Sequence, residues 1–274
     1  MRSRASAVIA SILTAACAGA TAGSPFEFRP SDAPHSYEVT VSGDVVADTP
    51  MGRMTSETDS EATLSLEIGE MVEDGWTVSA TFDALEVNAR GSMGGGSVNT
   101  DGIIGKPFIG VLSNAGTISV TESPNVSSRL SDNLDPGALL MELLAPLPPA
   151  GTPPNGSWPV NTSVVSDAAI RLTSTFSGTA RITGDTVWNG ISAAVIVAEG
   201  TLEIEGSGAP AGAPAEMDLI MEGESTRLYV WDSARRVMLA SLVTGEADGS
   251  LSIRGMDIQI PANFEQRQEV TLRR

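Results

Sequence analysis

The stretch WTVSATFD, residues 76–83, has an apolar side chain at every second position and a polar one after each. A period of two places the apolar side chains on one face of a β-strand. The same alternation recurs at 37–41, 63–68, 180–183 and 201–205. One solvated face and one buried face are typical of antiparallel strands. The sequence therefore predicts a mainly β protein.

Glycine-containing turns separate these strands at 74–75, 94–96, 189–190 and 248–249, as hairpins require. The strand-turn-strand stretch 108–120 has a similar stretch 120 residues later, at 228–240. Similar hairpins at a nearly constant spacing are typical of an internal duplication. We therefore predict two similar antiparallel meanders, residues 35–133 and 150–274, that form a curved sheet, a barrel or a sandwich.

A helix and a Pro-rich connector, LDPGALLMELLAPLPP at residues 134–149, join the two meanders. Asp135 is suited to be the N-cap and Pro136 to be the first helical residue, whereas Pro146 ends the helix near residue 145. Between 138 and 145 only Glu142 is polar. One short apolar helix is therefore predicted, and it has to be covered on nearly all sides.

Two roles for this helix are open, a lid over a cavity or a plug that fills the interior. The lid predicts an apolar ligand site, whose residues come from the helix and from the third predicted strand: Leu139, Leu140, Leu143, Phe82 and Val87. The plug predicts that the same side chains simply form the core.

The first 22 residues predict an export signal. Arg2 and Arg4 precede a short apolar run, and small residues at 20–22 suit cleavage before Gly23. The alternative is a lipoprotein signal of 16 residues, because LTAAC at 13–17 resembles a lipobox and would make Cys17 the lipidated first residue. Residues 23–34 are predicted to be an extended tether. Both versions predict an exported protein of the periplasm or cell surface, and the second predicts an outer-membrane lipoprotein that meets the membrane only through its lipid.

Composition excludes several classes of function. The chain has 34 acidic and 16 basic residues and a net charge of −18, which is opposite to the charge that a nucleic-acid-binding protein needs. One histidine and one cysteine cannot supply a zinc site. His35 precedes the first strand, where a surface role is favoured over a catalytic triad. We expect no metal, no cofactor, no catalytic residues and no enzymatic activity.

The order of motifs resembles a family of exported bacterial β-rich proteins of unknown function. The motifs are Tyr37-Glu38-Val39, the Leu-Pro end of the helix at 143–149, Gly156-Ser157-Trp158 and Trp231-Asp232. The resemblance implies export and an antiparallel β fold, and it implies no activity. The architecture is also similar to that of envelope lipoprotein carriers, in which a curved half-barrel holds acyl chains under a helical lid. That similarity is one of architecture alone.

These observations predict a cell-envelope protein without catalytic apparatus that binds a lipid or other apolar ligand, or an envelope protein partner. The alternative is a structural or interaction module with a filled core. The third hypothesis is a glycan hydrolase that uses two carboxylates. The acidic residues that cluster in sequence, Glu70, Glu73 and Asp74, are more typical of a solvated turn.

Intact-mass measurement on the protein from its native host tests the predicted export. A mature chain that starts at Gly23 indicates the ordinary signal, and one that starts at Cys17 with added acyl mass indicates the lipoprotein. A product that keeps Met1 and stays in the cytoplasm contradicts both.

Overall fold

A computed structural model describes residues 24–49, 52–92, 94–153, 155–167, 170–209, 216–256 and 258–273. The predicted signal at 1–22, with Cys17, lies outside these ranges. The described residues form a twelve-stranded antiparallel sheet. Its strands are β1 (His35–Thr49), β2 (Gly52–Val72), β3 (Gly75–Gly91), β4 (Gly96–Val98), β5 (Pro107–Leu112), β6 (Ile118–Glu122), β7 (Ser157–Asp167), β8 (Ile170–Trp188), β9 (Ile191–Gly208), β10 (Met217–Asp232), β11 (Val237–Ile253) and β12 (Gln259–Leu272).

The strand order is β6-β5-β3-β2-β1-β12-β11-β10-β9-β8-β7, with the short β4 paired to β3. The chain starts in the middle of the sheet, runs to one edge, crosses to the other edge and returns to the middle. The predicted antiparallel meanders are confirmed, and of the three predicted shapes the structure has the curved sheet. The sheet does not close, because the edge strands β6 and β7 are not hydrogen-bonded to each other.

The two halves of the sheet repeat the same succession of strands. β3 begins at residue 75 and β9 at residue 191, while β2 begins at 52 and β8 at 170. The spacing is therefore 116 residues for one pair of strands and 118 for the other. This spacing agrees with the duplication inferred from the sequence, and it leaves β12 as a strand with no counterpart in the first half.

Two short helices, not one, lie between the halves: α1 (Ser128–Ser131) and α2 (Pro136–Met141). α2 starts as predicted, because the Asp135 side chain accepts hydrogen bonds from the backbone N–H groups of Gly137 and Ala138. Neither described helix is long and apolar enough to cross a membrane.

The predicted end of α2 at residue 145 is wrong, because the helix stops at Met141 with Glu142 as its C-cap. The backbone leaves the helix here to dock on the turn between β5 and β6. The Leu147 N–H donates to the Ala115 carbonyl over 3.1 Å. Gly116, at φ 93°, allows the close approach, since a Cβ there would lie 2.0 Å from the Ala145 carbonyl oxygen.

The concave face of the sheet carries the main core. Aromatic and aliphatic side chains from both halves form one cluster with the residues of α2, and its largest members include Trp231, Tyr37, Tyr229, Phe82, Phe108 and Phe176. α2 contacts both edge strands, β6 and β7. The sheet therefore curls until its two edges meet the helix, and the helix fills the space between them.

The segment before β1 also contacts the core. Phe28 packs edge-to-face on Trp231, with ring centroids 5.3 Å apart. Trp231 Nε1 donates to the Pro25 carbonyl over 2.9 Å, and Arg236 Nη1 donates to Glu27 Oε1 over 2.6 Å. Residues 24–34, expected to be a tether, thus cover one end of the sheet.

Replacing Leu140 by alanine tests the packing of α2. Leu140 has no exposed surface. We expect Leu140→Ala to lower the free energy of unfolding by about 2–5 kcal/mol, because it removes buried methyl groups and leaves a cavity. Urea denaturation measures the change. The control is Met71→Ala, at a side chain 66% exposed, for which we expect a change within about 0.5 kcal/mol. Equal effects of the two substitutions would contradict the burial of α2.

Candidate functional site

The structure brings the five sequence-predicted site residues together in one apolar cluster, which includes the side chains of α2. Phe82 and Val87 on β3 and Leu140 and Leu143 in the helical segment have no exposed surface, and Leu139 is 7% exposed. All five belong to one apolar cluster. The leucines occupy the concave face as a plug would.

A buried arginine lies next to this cluster and was not singled out from the sequence. Arg227 on β10 is only 4% exposed. Its Nη2 donates to Glu142 Oε1 over 2.9 Å, and its Nη1 donates to Thr162 Oγ1 over 3.4 Å. Its guanidinium carbon lies 4.0 Å from the centre of the Phe176 ring. The ion pair connects the end of α2 to the middle of the second half of the sheet.

The alternation of β10 explains why a charge points inward. Arg227 is two residues before Tyr229 and four before Trp231, and both of these aromatic side chains are fully buried. In a strand, residues two apart share a face. An arginine in phase with a Tyr and a Trp was therefore the available sequence signal for this site.

Phe176 is held under the guanidinium by the local backbone of β8. Gly178 shares its face, and a Cβ at Gly178 would lie 2.6 Å from Phe176 Cζ. The glycine therefore leaves room for the ring. An aromatic face near a cation is attractive and keeps the guanidinium in a fixed orientation.

Burial also changes the acidity of the two interior tyrosines. Burial raises the pKa of Tyr229, the nearby Glu142 raises it further, and Arg227 partly offsets the effect. Burial likewise raises the pKa of Tyr37, whose hydroxyl donates to the Met238 carbonyl over 3.3 Å. Both phenols therefore stay neutral at physiological pH.

Several buried polar atoms, one of them in Arg227, have no hydrogen-bond partner among the described residues. They are Arg227 Nε, Gln268 Nε2 and Ser241 Oγ, together with the indole nitrogens of Trp76 and Trp158. Gln268 and Ser241 are 3% and 5% exposed. Unsatisfied buried groups are rare in folded proteins, and each one calls for an explanation.

The opposite face of the sheet carries a row of carboxylates. Glu57, Asp44, Glu265, Glu246 and Glu224 stand directly opposite one another on five successive strands, β2, β1, β12, β11 and β10. A second row, Glu203, Glu222 and Asp248, lies two residues along the strands. The five carboxylates of the first row line an open cavity of about 910 Å³, together with Glu222 and Asp248 of the second row.

Arg90 forms an ion pair with one end of the longer row. Its Nη1 lies 3.3 Å from Glu57 Oε1 and 3.6 Å from Asp59 Oδ2. Like charges directly opposite each other destabilise a sheet. No group of three or more His, Cys, Asp or Glu side chains in the described ranges is arranged to hold a metal ion.

The other candidate residues from the sequence are His35 and three clustered carboxylates. His35 begins β1, and burial together with the charges of Arg235 and Arg29 lowers its pKa. The carboxylates Glu70, Glu73 and Asp74 are exposed at the turn between β2 and β3. These residues do not converge with the cluster beneath α2.

Neutralising one carboxylate of the long row tests its electrostatic cost. Glu246 stands between Glu265 and Glu224. We expect Glu246→Gln to raise the melting temperature by about 1–3 °C at low ionic strength. The gain should shrink in salt, which screens exposed charges.

The matched control is Glu67→Gln, because exposed Glu67 stands opposite the uncharged Ser79 and has Ser65 and Gly69 two residues away on its own strand. Its melting temperature should change little at any ionic strength. A Glu246→Gln protein that is no more stable than this control at low salt would show that the row carries no net repulsion.

Comparison with known proteins finds little similarity to this chain. No family model matches the chain, and no curated protein matches it in sequence. Among solved structures, a domain from Vibrio parahaemolyticus assigned to outer membrane lipoprotein sorting is 10% identical, over 87% of this chain and 85% of that one, with a TM-score of 0.14. A TM-score this low does not establish a shared fold.

Proposed function

We propose that this is a non-catalytic, exported binding protein that takes an apolar ligand into the concave face of its sheet, in the place held by α2. The observation that carries the proposal is the position of α2. A short helix lies between two edge strands that do not pair with each other, over the largest apolar cluster of the molecule.

α2 is the element that can leave this face at the lowest cost. Every strand of the sheet is held by a ladder of backbone hydrogen bonds, and moving a strand would break that ladder. α2 is held instead by apolar contacts, by the Leu147 to Ala115 hydrogen bond and by the Arg227–Glu142 pair. A helix of six residues has almost no stability of its own, so its position depends on these contacts.

Displacing α2 would open an apolar surface without unfolding the sheet. Phe82 and Val87 would then contact the ligand from β3. Leu139, Leu140 and Leu143 mark the volume that the ligand would take. A chain of methylene groups would replace leucine side chains of similar polarity, so the interior would stay dry and the apolar part of the exchange would be nearly balanced.

A filled-core module that binds another protein is the second candidate. It is favoured by the complete burial of Leu140 and Leu143, which are packed as tightly as the core residues of the sheet. In that case α2 never leaves the concave face, and the partner protein binds to the convex face.

Titration with hexadecanol, an uncharged long-chain ligand, tests the proposal. The protein is the chain from Gly23, and the readouts are native mass spectrometry and hydrogen exchange. We expect a one-to-one complex in which the amides of 136–147 lose protection while those of β10 and β11 keep it. Leu140→Ala should bind hexadecanol several-fold more tightly, because displacing a weakened helix costs less.

Met71→Ala is the control and should bind hexadecanol as the unchanged protein does. If neither hexadecanol nor a charged ligand of the same chain length forms a complex, and residues 136–147 stay as protected as the central strands, the binding role is refuted and the filled-core module stands.

A further inference from the structure

We propose that Arg227 is the head-group site for a long-chain carboxylate, and that α2 with Glu142 is a built-in mimic of that ligand. The inference rests on the proposed function and names the class of ligand: an amphiphile with an apolar chain and one carboxylate, such as a fatty acid.

Arg227 lies on the face of the sheet that carries the apolar core, and it is 4% exposed. Its guanidinium lies over the Phe176 ring on β8 and donates to Thr162 on β7. Arg227 therefore places one buried positive charge in the apolar interior, next to the end of α2.

The chemistry of this site matches an acceptor. Arg227 Nε can only donate a hydrogen bond, and it has no partner among the described residues. A carboxylate has two acceptor oxygens and can accept from two nitrogens of one guanidinium at once.

Glu142 already supplies one such carboxylate from within the chain. Its Oε1 accepts from Arg227 Nη2, while Leu140 and Leu143, two residues before it and one after, lie buried in the apolar cluster. α2 thus presents a carboxylate beside hydrocarbon, which is the composition of a fatty acid. It leaves Arg227 Nε unused, so a free ligand can make more hydrogen bonds than Glu142 does.

Charge balance favours a monoanionic head group. Exchanging the Glu142 carboxylate for another carboxylate leaves one buried positive and one buried negative charge. An alcohol would leave Arg227 unpaired in an apolar interior, which is costly. A phosphate would add a further negative charge. Thr162 and the Phe176 ring hold the guanidinium in position during the exchange.

The test compares three ligands with the same chain: hexadecanoic acid, hexadecanol and hexadecyl phosphate. Each is titrated, below its aggregation limit and at a mildly alkaline pH, into the chain from Gly23. We expect the acid to bind at least about tenfold more tightly than the alcohol, as a charge-assisted hydrogen bond predicts. The phosphate should bind less tightly than the acid.

Two variants test which side chains cause the preference for the acid over the alcohol. Glu142→Gln removes the internal competitor, so the acid should bind more tightly and raise the melting temperature more than it does for the unchanged protein. Arg227→Gln should lose the preference for the acid and still bind hexadecanol. If Arg227→Gln does not fold, Arg227→Lys takes its place; it keeps the charge but cannot donate to both carboxylate oxygens from one planar group, so a smaller loss of preference is expected.

The outcomes separate the two proposals. Equal affinity for acid and alcohol, or a Glu142→Gln protein that gains nothing from the acid, refutes the head-group site and leaves the binding function intact. Binding of none of the three ligands refutes the binding function and the head-group site together. Tighter binding of the phosphate than of the acid assigns the site to a different anion and also refutes the proposal.

Discussion

An open sheet with an apolar concave face must cover that face with another part of the chain, and this constraint governs the molecule. The edge strands β6 and β7 do not pair, so the sheet cannot protect its own interior by closure. The chain meets the constraint with α2, a helix too short to exist alone. Sheet and helix therefore depend on each other, and the segment that crosses between the halves is also the segment that buries the core.

The Arg227–Glu142 pair adds specificity to this arrangement. Apolar contacts are non-directional, so they would allow a short helix to settle in several orientations. A buried ion pair allows few orientations of the helix. An orientation that separates the two side chains leaves an uncompensated buried charge, at a cost of about 3–5 kcal/mol. The guanidinium is further fixed by Thr162 and Phe176. The pair thus sets where α2 ends and which side chains face inward.

Alternation in the sequence was enough to predict antiparallel meanders, and Asp135 with Pro136 was enough to predict the start of α2. The end of the helix could not be predicted, since it depends on an arginine 85 residues away and on the turn at Gly116. The acidic row could not be predicted from the sequence for a similar reason. Its members are scattered over five strands, and only the register reveals that Glu246 stands beside Glu265 and Glu224.

The central pairing of β1 with β12 has a consequence for how the polypeptide reaches its native state. Val39 lies opposite Val270, so the two halves join only after residues 259–272 have been added. Contacts between such distant residues slow folding. Until then the chain carries two separate sheets with four unpaired edges, and long exposed edges pair readily with other chains. Loss of β12 should therefore cause aggregation more than simple instability.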